Sequence, residues 1–124
     1  MAKPEALLAQ EVANYLIDEY NDIPFWFDVG ADIPLPPQLA RISKQLHGKW
    51  NRGRCDLFIM SARGGFGGLF VELKATETVP NTEHTRRQAQ FHAVLRHQGY
   101  VADFACGLKE CKKMIKKYLK LKKN

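Results

Sequence analysis

Apolar positions along the chain change their period several times, and each change marks an element. Leu8, Val12, Tyr15 and Leu16 recur at helical spacing, which predicts one buried stripe on a helix from about residue 4 to 20. Pro4 suits the first turn of that helix, Glu5 favours the positive end of its dipole, and Asn21-Asp22 closes it. Phe25-Trp26-Phe27-Asp28-Val29, an aromatic and β-branched run between turn residues, reads as the first strand. The prolines of Ala31-Asp32-Ile33-Pro34-Leu35-Pro36-Pro37 forbid regular pairing and predict a loop. Pro37 then opens a short helix to about Gln45, with Leu39, Ile42 and Leu46 on one side.

Two short apolar runs follow, residues 56–60 and 69–73, joined by Ser61-Ala62-Arg63-Gly64-Gly65-Phe66-Gly67-Gly68. So short and glycine-rich a connection predicts an antiparallel hairpin with a flexible tip. The tip lacks the lysine-serine ending of a P-loop and precedes a strand, so it is no phosphate cradle of that kind. A third helix is expected from Thr82 or Glu83, capped by a threonine and stopped by Gly99. Phe91, Val94 and Leu95 form its apolar face, and Gln88 shares that side. Residues 100–105 alternate as a last strand. After Gly107 a helix turns Cys111, Met114, Ile115, Tyr118 and Leu119 inward and its lysines outward. Lys120 to Lys123 are expected to fray. No repeat or linker divides residues 1–124, which predicts a single α/β domain with a lysine-rich C-terminal helix.

Charge sharpens this picture. The net +6 is unevenly placed: residues 1–32 carry one Lys and seven acidic residues, 33–108 carry ten Lys/Arg against five acidic residues, and 109–124 carry eight Lys and one Glu. A middle and tail this basic attract polyanions, whereas the acidic N-terminal third confines the footprint to one side. No apolar run approaches the roughly 18 residues of a membrane span, and no signal-peptide pattern opens the chain, so a cytosolic protein is expected. Cys55, Cys106 and Cys111 lack CxxC spacing and fit reduced thiols better than disulfides or zinc. His84, His92 and His97 show no metal spacing with them and read as surface or DNA-facing residues.

The candidate chemistry sits on the hairpin. Residues i and i+2 of a strand share a face, so Glu72 and Lys74 point one way while Val71 and Leu73 enter a core. Asp56 begins the partner strand, and the hairpin returns the pair to its neighbourhood. Two carboxylates and an ammonium at one end of a sheet suit Mg2+ or Mn2+, hard cations that take carboxylates and keep several waters. An ExK pair alone is more often an ordinary solvated face; its combination with Asp56 carries the argument. Before Asp56, Lys49, Arg52 and Arg54 stand where phosphates must approach. Trp50 there is either a stacking surface or a partly buried core residue.

Gly53-Arg54-Cys55-Asp56-Leu57-Phe58-Ile59, followed by Arg63-Gly64-Gly65-Phe66-Gly67-Gly68-Leu69-Phe70-Val71-Glu72-Leu73-Lys74, resembles the virus-type replication-repair nuclease (VRR-NUC) domain of the PD-(D/E)xK superfamily. The likeness continues through Gln88, Leu95-Arg96-His97-Gln98-Gly99-Tyr100 and the helix ending Tyr118-Leu119, covering roughly residues 5 to 121. One departure is Cys55, which stands where the family often has proline before the aspartate.

The resemblance implies a restriction-endonuclease-like α-β-β-β-α-β core with a mixed central sheet flanked by helices. It implies Asp56, Glu72 and the backbone carbonyl of Leu73 as metal ligands, Lys74 as the residue handling the attacking water, and Gln88 beside the catalytic strand, with Gln90 as fallback. Glu11 on the first helix is a further candidate ligand, and Arg86 and Arg87 join Lys49, Arg52 and Arg54 as candidate DNA contacts. A stand-alone chain of this size resembles phage or prophage members. That implies a homodimer acting on four-way DNA junctions in a bacterial host cell. A flap or nicking endonuclease, an RNA nuclease with the same chemistry and a catalytically silent DNA-binding module are the alternatives.

Overall fold

A computed structural model of the protein describes residues 4–28, 35–51 and 53–124. Val29 at the expected end of the first strand, most of the proline loop, and Arg52 lie outside the described residues. The elements run α1 (Pro4–Glu19), β1 (Phe25–Phe27), α2 (Pro37–His47), a 3-10 turn (Gly48–Trp50), β2 (Leu57–Ile59), β3 (Leu69–Lys74), α3 (Glu83–His97), β4 (Val101–Cys106) and α4 (Leu108–Leu119). They form one mixed sheet of order β1-β2-β3-β4, antiparallel except for the parallel β3–β4 pair. A parallel pair needs a crossover, and α3 supplies it.

The sheet separates two apolar clusters. Leu57, Ile59, Leu69, Val71 and Leu73 meet Leu8, Val12 and Leu16 of α1 and Cys111, Ile115, Tyr118 and Leu119 of α4. Full burial of each such leucine or isoleucine stabilises the fold by about 1.5–3 kcal/mol before entropy is counted. Cys55, Leu95 and Ala102 form a smaller cluster under α3, extended by Phe70, Phe91 and Tyr100. Phe70 begins the α3-facing series of β3, so Glu72 and Lys74, two and four residues on, belong to that face. Among the described residues, no helix is long and apolar enough to cross a membrane.

α3 begins at a reciprocal cap. The Thr82 hydroxyl accepts from Thr85 N at 3.1 Å, and Thr82 N donates to the Thr85 hydroxyl at 3.0 Å. It ends before Gly99, whose φ of +97° suits glycine. α2 extends to His47, and none of its residues is buried. Its stripe of Leu39, Ile42 and Leu46 stands between 40% and 62% exposed.

Two expectations about chain ends and turns are overturned. The hairpin tip is a tight turn with Gly64 and Gly65 at φ +58° and +85°, closed by Arg63 N to Phe66 O at 3.1 Å and Phe66 N to Arg63 O at 2.8 Å. Residues 120–124 are not frayed, because that turn holds them. Gly64 N donates to Lys122 O at 2.7 Å, Gly65 N to the Asn124 side-chain oxygen at 2.8 Å, and the Arg63 guanidinium to Leu119 O at 2.7 Å. Turn donors and tail carbonyls satisfy one another.

Gly68 serves close approach. A Cβ there would lie 2.8 Å from the Phe58 ring and 2.9 Å from Ile59 O, a backbone atom of the paired strand. Gly68→Ala is therefore expected to destabilise the protein by about 1–3 kcal/mol. Urea unfolding checks this, with a lower midpoint and an unchanged slope as the expected result.

Candidate active site

Asp56 is placed from two directions. Its carbonyl accepts from Asp28 N at 2.7 Å, extending the β1–β2 pairing beyond Leu57. Its carboxylate Oδ2 accepts from Leu73 N at 2.7 Å. Leu57 opposes Val71, so continuing the register by one residue sets Asp56 against Glu72. Residues directly opposed in an antiparallel pair share a face. Asp56, Glu72 and Lys74 therefore gather on the α3 side of the sheet.

The electrostatics agree. Burial pushes the Cys55 thiol well above its ordinary range, and the Glu72 and Asp56 carboxylates push it further. Both carboxylates thus act on one buried sulfur atom. Cys55 stays a thiol, not a thiolate ligand. Glu72 is only 4% exposed, although carboxylates are seldom that buried without compensation.

Lys74 is half-buried at the mouth of this corner, its Nζ 5.8 Å from the centre of the Phe104 ring on β4. Behind Phe104 stands His92, 1% exposed, with ring centres 4.5 Å apart. The expectation of a surface His92 is therefore corrected. Thr85, Gln88, His92 and Leu95 are the buried residues of α3, and their spacing of three, four and three is the helix's inward stripe. Helical phase with Gln88 was the available signal. Burial, and then the Arg96 and Lys74 cations, lower the His92 pKa to about 4, with Asp103 opposing.

Gln88 lies on the same inward face, 4% exposed, its Nε2 3.2 Å from His84 Nε2. Among the described residues, Gln88 Oε1 and His92 Nε2 are buried without hydrogen-bond partners. Such atoms cost stability unless something else satisfies them.

The remaining candidates are more scattered. Glu11 is exposed on α1, whose buried stripe covers the opposite face of the sheet. Among the described residues no three His, Cys, Asp or Glu side chains form a metal cluster, so Glu11 is not gathered with Asp56 and Glu72. The two carboxylates with the Leu73 carbonyl are nevertheless hard oxygen donors of the kind that would suit a divalent cation keeping several waters. Arg54 pairs with Asp28 and donates to Asn51, clamping the loop onto the end of β1. Asp28, absent from the sequence reading of the site, thus supports Asp56 through its backbone and Arg54 through its side chain. Lys49, Arg86 and Arg87 are exposed. Arg86 donates to Asn81 at 3.1 Å, and Arg87 pairs with Glu83 at 3.4 Å.

Compared by sequence, the chain matches no family model and no curated protein. Compared by structure, it is similar to a solved "VRR_NUC domain protein", with a TM-score of 0.72 and 24% identity, over 99% of this chain and 93% of that one. The fold is the VRR_NUC fold. Within it, Asp56, Glu72 and Lys74 occupy adjoining ends of two central strands, with the inward face of α3 above them.

His92 makes stability depend on pH. Its folded pKa lies below the ordinary 6.5, so the unfolded chain binds the extra proton first. The associated stability is complete above about pH 6.5 and is lost as pH falls toward about 4. Between pH 7 and 5 this loss is about 2 kcal/mol. Urea unfolding of wild type and His92→Leu at both pH values should show the smaller acid loss in the variant.

Proposed function

We propose that this protein is a metal-dependent DNA endonuclease, working as a homodimer that resolves four-way junctions. The observation that carries the reading is the Asp56 carboxylate held by Leu73 N–H, the peptide between Glu72 and Lys74. One backbone donor thereby registers a ligand on the second strand against the ligand and the lysine on the third.

In this reading Asp56, Glu72 and the Leu73 carbonyl hold Mg2+ or Mn2+. When bound, such an ion lowers the pKa of water and offsets charge on the phosphate. Lys74 orients the attacking water through its ammonium, or takes its proton when neutral. Phe104 beneath it limits where that nitrogen can go. The water oxygen bonds to phosphorus in line with the departing 3′-oxygen, leaving a 5′-phosphate on the product. Gln88 would assist from the inward face of α3, where its Oε1 is buried without a hydrogen-bond partner among the described residues. Lys49, Arg86 and Arg87 approach the phosphates from outside.

Pairing of two copies is supported by α2. Its apolar stripe of Leu39, Ile42 and Leu46 stays exposed on a helix otherwise carrying Arg41, Lys44 and His47. A two-fold interface places one such patch against its twin and two sites on two strands.

The decisive assay uses labelled four-way junction, 5′ flap, linear duplex and RNA with Mg2+ or Mn2+. Symmetric paired nicks in the junction are the expected result. Asp56→Asn, Glu72→Gln and Lys74→Ala should each lower the rate about 10²-fold or more. Cleavage of flap or RNA alone would keep the nuclease and discard the resolvase, and binding without cleavage would leave a silent DNA-binding module. Ile42→Glu with Leu46→Glu should convert a dimer to a monomer in sedimentation and abolish paired nicking. An unchanged sedimentation coefficient would remove α2 from the interface.

A further inference from the structure

A line of aromatic rings leads from the sheet to the surface beside the site. Phe58 and Phe70 stack at 4.2 Å, Phe70 meets Phe91 at 6.5 Å, and Phe91 meets Trp50 at 5.3 Å. Trp50 is therefore backed by rings anchored in β2, β3 and α3. Its loop is also pressed onto α3: a Cβ on Gly53 would lie 3.3 Å from the Arg87 carbonyl and 3.7 Å from the Trp50 ring. The indole is held in place and only half-buried.

It borders an open hollow of about 600 Å³ lined by Lys49, Trp50, Arg87, Gln90, Ala93 and Val94. That volume is in the range of small-molecule sites. Arg87, Gln90 and Val94, at i, i+3 and i+7, share one face of α3 and define a floor about 10 Å long. The chemistry of the walls is mixed in a particular way. The indole offers a planar face to a base, Lys49 and Arg87 offer cations to phosphate, and the Gln90 carboxamide offers a donor and an acceptor to a base edge. Lys49 Nζ already lies 5.6 Å from the Trp50 ring centre, and among the described residues Arg87 is held by an exposed ion pair with Glu83. Exposed pairs of this kind are weak, so both cations can turn to a ligand at little cost.

We propose that this hollow between the Gly48–Trp50 turn and α3 binds an unpaired nucleotide, its base stacked on Trp50 and its phosphate held by Lys49 and Arg87. A base within a duplex is stacked on its neighbours and cannot lie on the indole. The ligand is therefore a strand that has left the helix, at a branch, a gap or an end. The inference rests on the reading of the protein as one that acts on DNA, and deepens it by naming the single-stranded element next to the cut. Arg87 precedes Gln88 on the same helix, so the strand so held passes beside the proposed site.

The test needs no cleavage. The chain has two tryptophans, and Trp26 is exposed, so Trp26→Phe leaves Trp50 as sole reporter. Its fluorescence is titrated in metal-free buffer with a thymidine oligonucleotide, with an abasic strand of equal length and with a blunt duplex. Saturable quenching by the oligonucleotide, at least fivefold tighter than by the other two, is the expected result. Arg87→Gln in the same background should raise the apparent Kd about tenfold, with the circular dichroism unchanged. Lys74→Ala should leave the quenching intact. Equal quenching by the abasic strand and the duplex would mean a general polyanion surface and would overturn the nucleotide site. Absence of quenching would overturn it as well. Quenching without cleavage of any substrate would keep this site and discard the nuclease; cleavage without quenching would do the reverse.

Discussion

The hydrogen bond from Leu73 N–H to the Asp56 carboxylate is the constraint on which the site depends. It replaces a ladder bond at the point where β2 has ended and β3 continues, and it spends an acidic side chain to do so. The substitution has two effects. It satisfies a backbone donor that the shorter strand leaves over, and it brings a carboxylate onto the face that Glu72 and Lys74 already occupy. The outer strand reinforces the same point, because Asp28 N reaches the Asp56 carbonyl. Local folding and site assembly are thus one event at this corner.

Around that corner the protein keeps polar groups where a simple core would have none. Glu72, Gln88 and His92 are nearly inaccessible, and the nearby thiol is held protonated by the same low-dielectric surroundings. Burial of this kind strengthens electrostatic interactions and disfavours unpaired charge. Lys74 stands at the boundary between this interior and solvent. It can thus address a ligand from outside while feeling the fields of groups inside.

Much of this was legible in the chain because it is local. The ExK strand, its aspartate partner and the glycine connection lie within 19 residues, and period-two alternation shows their shared face. The α3 cap and stop follow from a threonine and Gly99 for the same reason. What escaped depends on distance. Arg54 reads as a phosphate contact, and its pairing with Asp28, 26 residues earlier, leaves no trace in the local pattern. His92 reads as surface because hydropathy ranks histidine polar, although helical phase aligns it with Gln88. The tail reads as frayed lysines because its partners, the backbone donors of Gly64 and Gly65, lie more than 50 residues away. Periodicity carries no information about those.

That tail has a consequence for the order in which the molecule assembles. The hairpin can form from neighbours in sequence, but its turn donors face acceptors that arrive 59 residues later, as between Gly65 and Asn124. Closing so long a loop carries an entropic cost that local pairing does not, and such contacts tend to form late. The β2–β3 corner and the far end of the same hairpin therefore mature at different times. The strands can hold the carboxylates in register before the final segment clasps the turn. A transient opening of that clasp frees the turn amides at one end while leaving the corner of Asp56 and Glu72, a strand's length away, undisturbed.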